Sequence, residues 1–107
     1  MKRIAFKMSV NSGEKAEYIR RHDPIWPELQ QTLFEHGVHS YSIFLDEETN
    51  TLFAYAEIES EEQWNRIAAT EVCQRWWTYM APLMPTNEDN SPVSTPLAEI
   101  FHIKSKL

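Results

Sequence analysis

A single cysteine, Cys73, leaves the chain unable to close an intramolecular disulfide or to build an all-cysteine zinc site. Such usage suits a reducing cytoplasm. Glycine is nearly as scarce. Gly13 and Gly37 are too few and too far apart to cradle a phosphate, so the nucleotide and dinucleotide readings fail. Basic residues are in deficit, 10 Lys and Arg against 16 Asp and Glu, for a net charge of −6. That balance disfavours a nucleic-acid groove or an anionic membrane surface, and Arg20-Arg21 falls far short of a basic patch. The longest hydrophobic run, Leu52 to Ala56, is too short to cross a bilayer. Met1 to Val10 alternates polar and apolar residues, whereas a signal peptide has a continuous apolar block. The expectation is a soluble, cytoplasmic protein.

Aromatic residues, by contrast, are plentiful: four Trp and four Tyr in 107 residues. They are good core material, yet flat rings also line sugar sites, because they pack on the C–H side of a pyranose. Composition alone leaves both readings open. The length fits one domain over residues 1–107.

Lys2 to Val10 reads as a strand with Ile4, Phe6, Met8 and Val10 on one side. Asn11 followed by Glu14 marks a helix start, with a helix over Ser12 to His22 that Asp23-Pro24 interrupts. Pro27 suits the first turn of a renewed helix that ends at Gly37. Val38 to Asp46 is a second strand, with His39, Tyr41, Ile43 and Leu45 on one side. After a tight turn, Thr51 to Glu59 is a third, antiparallel to it. Ser60-Glu61-Glu62-Gln63 is a capping box. Trp64, Ile67 and Ala68 follow it on a helix, and after a break near Thr70 a further helix carries Val72, Trp76, Tyr79 and Met80. Pro82 to Pro96 is a long loop, and Leu97 to Lys104 is the last strand, with Phe101 and Ile103 alternating.

The order is β-α-β-β-α-β, an α+β ferredoxin-like antiparallel sheet with helices on one face. The third strand is apolar on both sides: Leu52, Ala54, Ala56 and Ile58 on one, Phe53 and Tyr55 on the other. Helices suffice for one face only, so a second copy is expected to cover the other in a homodimer of face-packed sheets. The plainer alternative packs Phe53 and Tyr55 beneath the 82–96 loop.

Few residues offer chemistry. His22 lies one helical turn after Tyr18, at a helix end, and imidazole titrates near neutrality. It could equally be a surface histidine against the helix dipole. His36 and His39 straddle a glycine and His102 lies among apolar neighbours, so no metal site is expected. Cys73 reads as a small core residue, and no Gly-x-Ser-x-Gly elbow is present. Trp76 and Trp77 diverge by about 100° on a helix, so one packs while the other meets a cavity, an interface or solvent. Tyr41 shares a strand face with His39 and Ile43, and the plainer reading of it is a core tyrosine with a hydrogen-bonded hydroxyl.

These residues, taken with their neighbours, resemble the L-rhamnose mutarotase family over nearly the whole chain. The resemblance rests on Tyr18, Arg20-Arg21-His22 and Pro24-Ile25-Trp26-Pro27-Glu28-Leu29, then Tyr41 and Glu57-Ile58-Glu59-Ser60-Glu61-Glu62. It continues through Val72-Cys73-Gln74-Arg75-Trp76-Trp77, Met84-Pro85 and Asp89-Asn90-Ser91-Pro92-Val93. Departures are confined to Asn11–Lys15 and the tail Lys104–Leu107. The resemblance implies a dimeric α+β barrel that interconverts the anomers of L-rhamnopyranose in rhamnose metabolism and takes no cofactor. It implies His22 as proton donor and Tyr18, Tyr41, Trp76 and Trp77 as sugar-binding residues. Apart from the resemblance, the Asn87–Ser91 loop is a candidate cap for such a pocket. Relatives acting on other deoxy-sugars leave the substrate less fixed than the reaction. Other uses of such a fold remain open at this point: a small monooxygenase or haem-handling protein, or a non-catalytic sugar sensor.

Overall fold

The computed structural model describes residues 1–106, in the order β1 (Lys2–Ser9), α1 (Lys15–Arg21), α2 (Pro27–Glu35), β2 (Val38–Asp46), β3 (Thr51–Ile58), α3 (Glu61–Ile67), α4 (Glu71–Met80), a short 3₁₀ turn (Ala81–Leu83) and β4 (Thr95–Leu97). The four strands form one antiparallel sheet in the order β2-β3-β1-β4. This is the ferredoxin-like arrangement.

Period-two alternation sorts the sheet residues. Met8 of β1 and Leu52, Ala54, Ala56 and Ile58 of β3 are buried beneath the helices. They meet Tyr18, Leu29, Ile67, Val72, Cys73, Trp76 and Met80 from above. Full burial of an Ile58 or a Leu52 contributes about 1.5–3 kcal/mol each over exposure, so this layer is where the fold gains most. On the opposite face Phe44 and Phe53 remain exposed. The 82–96 loop therefore does not bury Phe53.

Local signals fix most boundaries. Ser60 caps α3 by accepting from the Gln63 backbone amide at 3.2 Å, while its hydroxyl donates to Gln63 Oε1. Thr70 separates α3 from α4, its hydroxyl accepting from the Cys73 amide and donating to the Ile67 carbonyl. Gly37, at φ +80°, has no room for a side chain: a Cβ there would lie 2.7 Å from the Glu59 Cβ. The Asp23–Pro24 bond is cis.

Three expectations need correction. The first helix begins at Lys15, because Gly13 turns through φ +83° and Asn11 closes a backbone turn on Glu14 instead of capping. His39 does not share a face with Tyr41. A β-bulge between Val38 and Ser40 displaces it, and its ring reaches Glu59 at 2.7 Å on the surface. The last strand is Thr95–Leu97, three residues opposite Ala5–Lys7, and not Leu97–Lys104. Beyond Ala98 the chain leaves the sheet, and Ile100, Phe101 and Ile103 are 94%, 77% and 79% exposed. Their alternation faces nothing within the described chain. Leu107, the end of the expected tail, lies outside the described residues.

Candidate active site

Helix α1 brings two rings to one place. Tyr18 and His22, one turn apart, stack with centroids 4.4 Å apart and planes inclined by 29°. His22 caps the C-terminal end of α1, and its Nδ1 lies 2.8 Å from the Tyr18 carbonyl oxygen, one of the acceptors a helix end leaves over. A carbonyl can only accept, so Nδ1 carries the proton and donates it. The lone pair of the neutral ring then sits on Nε2, which has no hydrogen-bond partner among the described residues. Burial lowers the His22 pKa below its ordinary value, with the Tyr18 carbonyl opposing in part.

Helix α4 adds the next ring. Its buried stripe is Val72, Cys73, Trp76 and Met80, and the Trp76 indole meets His22 edge-on, 5.1 Å away at 89°. Trp26 and Tyr79 back Trp76 at 5.1 and 5.7 Å. Such aromatic pairs contribute about 0.5–1.5 kcal/mol each beyond area burial, enough to hold the rings in register. Trp77 is turned round the helix and half-buried, packing against both halves of the core.

Strand β2 supplies Tyr41, whose ring packs on Trp64 at 5.6 Å and Phe6 at 6.4 Å. Burial pushes the Tyr41 phenol well up, with Tyr18 and Cys73 nearby adding to the shift. Burial also pushes Tyr18 up to about 12. Both hydroxyls therefore stay protonated at neutral pH. Neither finds a partner among the described residues, nor do the indole nitrogens of Trp76 and Trp77. None of these atoms is sealed from open space, since Arg3 Nε is the one unpaired polar atom fully enclosed among the described residues.

All five expected site residues, Tyr18, His22, Tyr41, Trp76 and Trp77, line one hollow. Its volume of about 2040 Å³ exceeds the roughly 300–1,000 Å³ usual for a small-ligand pocket. The lining runs round the sheet to Arg3, Tyr55 and Leu97, and the rings of Tyr18, His22 and Trp76 meet at one part of it. Asn87, Asn90 and Ser91 border the hollow on a small ordered hairpin, closed by the Thr86–Pro92 bridge and an Asn87 amide to Ser91 carbonyl bond of 2.8 Å. Sequence reasoning missed Trp64, assigned only to a helix face, although it lines the same hollow. It also missed Trp26 and Tyr79 as the backing of Trp76. Their presence in long aromatic-rich blocks was the available signal.

Of the remaining histidines and the cysteine, His39, Cys73 and His102 border the same wide hollow and His36 does not. His36 bonds the Thr32 carbonyl, His39 pairs with Glu59, and His102 lies on the exposed C-terminal segment. Among the described residues no group of three or more His, Cys, Asp or Glu is placed to hold a metal ion. Burial pushes the Cys73 thiol up to about 11, which leaves it a poor nucleophile. No helix among the described residues is long and apolar enough to cross a membrane.

Comparison with known proteins gives this geometry a context. The family profile described as L-rhamnose mutarotase matches residues 3–103. The chain belongs to the L-rhamnose mutarotase family. Among its relatives, the L-rhamnose mutarotase of Shigella flexneri is 59% identical over 103 residues, 96% of this chain and 99% of that one. The L-rhamnose mutarotase of Salmonella paratyphi B is 58% identical over 104 residues, 97% of this chain and 100% of that one. The crystal structure of an L-rhamnose mutarotase from Formosa agariphila superposes with a TM-score of 0.89 at 49% identity, covering 97% of this chain and 100% of that one. A putative antibiotic biosynthesis monooxygenase from Nitrosomonas europaea shares the fold at TM-score 0.63 and 12% identity, over 94% of this chain and 100% of that one. At that identity the likeness concerns the fold alone. The family match ends before the tail but spans Asn11–Lys15.

Proposed function

We propose that the chain interconverts the α and β anomers of L-rhamnopyranose, serving rhamnose metabolism in the cytoplasm as a homodimer. One observation carries the reading. His22 is clamped between Tyr18 and Trp76 with Nδ1 committed to a carbonyl, and its free Nε2 is available to a ligand in the aromatic recess.

A pyranose changes anomer by opening its hemiacetal, turning about C1–C2, and closing on the other face of the carbonyl. Opening removes a proton from the anomeric hydroxyl and places one on the ring oxygen; closure reverses both transfers. Proton transfer alone balances the reaction, with no net oxidation or reduction. Because burial keeps His22 neutral at rest, Nε2 takes the anomeric proton as the C1–O5 bond breaks. A phenol, from Tyr18 or Tyr41, or water protonates the ring oxygen. After rotation the imidazolium returns its proton to the carbonyl oxygen as the ring closes, which makes His22 the donor of that half. Trp76 and Trp77 offer flat faces to the apolar side of the sugar, and Tyr18 and Tyr41 offer hydroxyls. The Asn87–Ser91 hairpin caps the recess.

The dimer reading follows from surface left uncovered. Phe44, Phe53 and Leu97 on the outer sheet face, and Ile100, Phe101 and Ile103 beyond it, are apolar and exposed. A second copy packed on that face buries them and completes an α+β barrel.

Saturation transfer between the two anomeric protons of L-rhamnose tests the reading. His22→Ala should lower the catalysed exchange by about 10²–10⁴-fold, the usual yield of positioned acid–base catalysis, with an unchanged near-ultraviolet dichroism spectrum. Undiminished exchange in that variant refutes the role of His22. Sugar binding with exchange at the spontaneous rate in the parent protein would make it a sensor.

A further inference from the structure

The end of α1 holds a charged group that the chemistry above does not use. Arg21, next to His22, has a side chain only 18% exposed. Its Nε donates to Glu17 Oε2 at 2.6 Å, one turn back on the same helix. Its Nη1 donates to the Tyr79 backbone carbonyl in the last turn of α4, and its guanidinium lies 4.2 Å over the Tyr79 ring. A cation at that place complements the negative end of α4 and occupies a carbonyl the helix leaves unpaired. The Tyr79 ring leans in turn on Trp26 at 5.2 Å and Trp76 at 5.7 Å, and Trp76 meets His22. One planar fork therefore joins the end of the helix that carries His22 to the end of the helix that carries Trp76. Arg20 by contrast is 65% exposed and is held mainly by Glu17 with the Tyr79 hydroxyl near it, whereas Arg21 is the one of the pair bonded to the α4 backbone.

We propose that Arg21 is a positioning residue: bridging Glu17, the Tyr79 carbonyl and the Tyr79 ring, it sets the spacing between the His22 imidazole and the Trp76 indole. The claim rests on the acid–base reading of His22, because only then does that spacing govern turnover. The fork matters as well as the charge. A lysine ammonium is a point donor without a planar face, and cannot serve the carboxylate, the carbonyl and the ring in one geometry.

The test uses the full chain with Arg21→Met, which keeps an apolar stem and removes the fork, and Arg21→Lys, which keeps the charge. The first readout is the His22 Hε1 chemical shift, on which the ring currents of Tyr18 and Trp76 act together. Loss of the Trp76 part should shift it in Arg21→Met, and by less in Arg21→Lys, while the Tyr18 part stays. The second readout is anomer exchange. Misplacement by a fraction of an ångström to one ångström should lower kcat by about 10–100-fold, while KM, set by stacking, changes less than about threefold. Arg21→Ala with added guanidinium ion should recover part of the lost kcat. An Hε1 shift and a kcat in Arg21→Met that both match the parent overturn the proposal. If Arg21→Met fails to fold, Arg21→Lys and the guanidinium rescue decide, and parent-like kcat in the former or no recovery in the latter overturns it. Undiminished exchange in His22→Ala would instead sink the acid–base reading, while the Hε1 shift would still report on the spacing.

Discussion

Acidification through the folded pKa of His22 should extinguish the catalysed anomer exchange through that one group. Its ring enters the reaction neutral, with the proton fixed on Nδ1 by the Tyr18 carbonyl, and burial lowers its pKa below the ordinary 6.5. At pH about 7.5 more than about 90% of the rings are then neutral, so kcat/KM should be level from there upward. Below the folded pKa each further unit removes about tenfold. The midpoint must fall on the acid side of 6.5, because desolvation disfavours the imidazolium. The sign for stability agrees. An unfolded imidazole binds a proton more readily than the buried one, so the contribution of His22 is fully present above 6.5. It declines as pH falls toward the folded value and levels off below it. The assay is saturation transfer at each pH with the spontaneous rate subtracted, since mutarotation is itself acid and base catalysed. A kcat/KM that rises on acidification would show that the ring must be protonated at rest and would refute the order of proton transfers given above, while a midpoint above 6.5 would refute the lowered pKa of the buried ring.

Further outcomes follow from the same geometry. Tyr41→Phe should raise KM for L-rhamnose by about 2–10-fold, the worth of one hydrogen bond to the sugar, and a fall in kcat as well would mark Tyr41 as the phenol that protonates the ring oxygen; an unchanged KM removes Tyr41 from the binding set. Gly37→Ala forces a side chain into positive φ and against the Glu59 Cβ, and should cost about 1–3 kcal/mol of stability in urea unfolding. An unmoved midpoint would mean the turn relaxes freely. Phe53→Lys should halve the mass measured by light scattering if copies meet through the outer sheet face, and a parent already of monomer mass excludes that dimer.

Features governed by neighbours in sequence could be read without coordinates. The β2–β3 hairpin, the Ser60 cap of α3, the break at Thr70 and the stop at Gly37 all depend on residues within a few positions, and each is found where expected. Tyr18 and His22 were legible as a pair because helical periodicity alone makes them adjacent. What failed depended on distant partners. Residues 98–104 alternate like a strand, yet strand length is set by pairing, and β1 meets β4 only over Ala5–Lys7. Asn11 is the exception, a local cap signal outweighed by the positive φ of Gly13 two residues on. At the site, the identity of the rings was visible in the sequence. The edge-on contact of Trp76 with His22, and the fork from Arg21 to α4, join segments more than fifty residues apart, and no local pattern encodes them.

The bulge at Val38–Ser40 bears on how this enzyme family can vary in length. Strand parity would send Val38 and Tyr41 to opposite sides, and the surplus residue, His39, lets both point inward. Straightening the ladder at constant length would force a choice: expel the valine and hollow the interior, or expel the phenol and strip the recess of a hydroxyl. Deleting His39 escapes that choice, since valine, serine and tyrosine then alternate on their own.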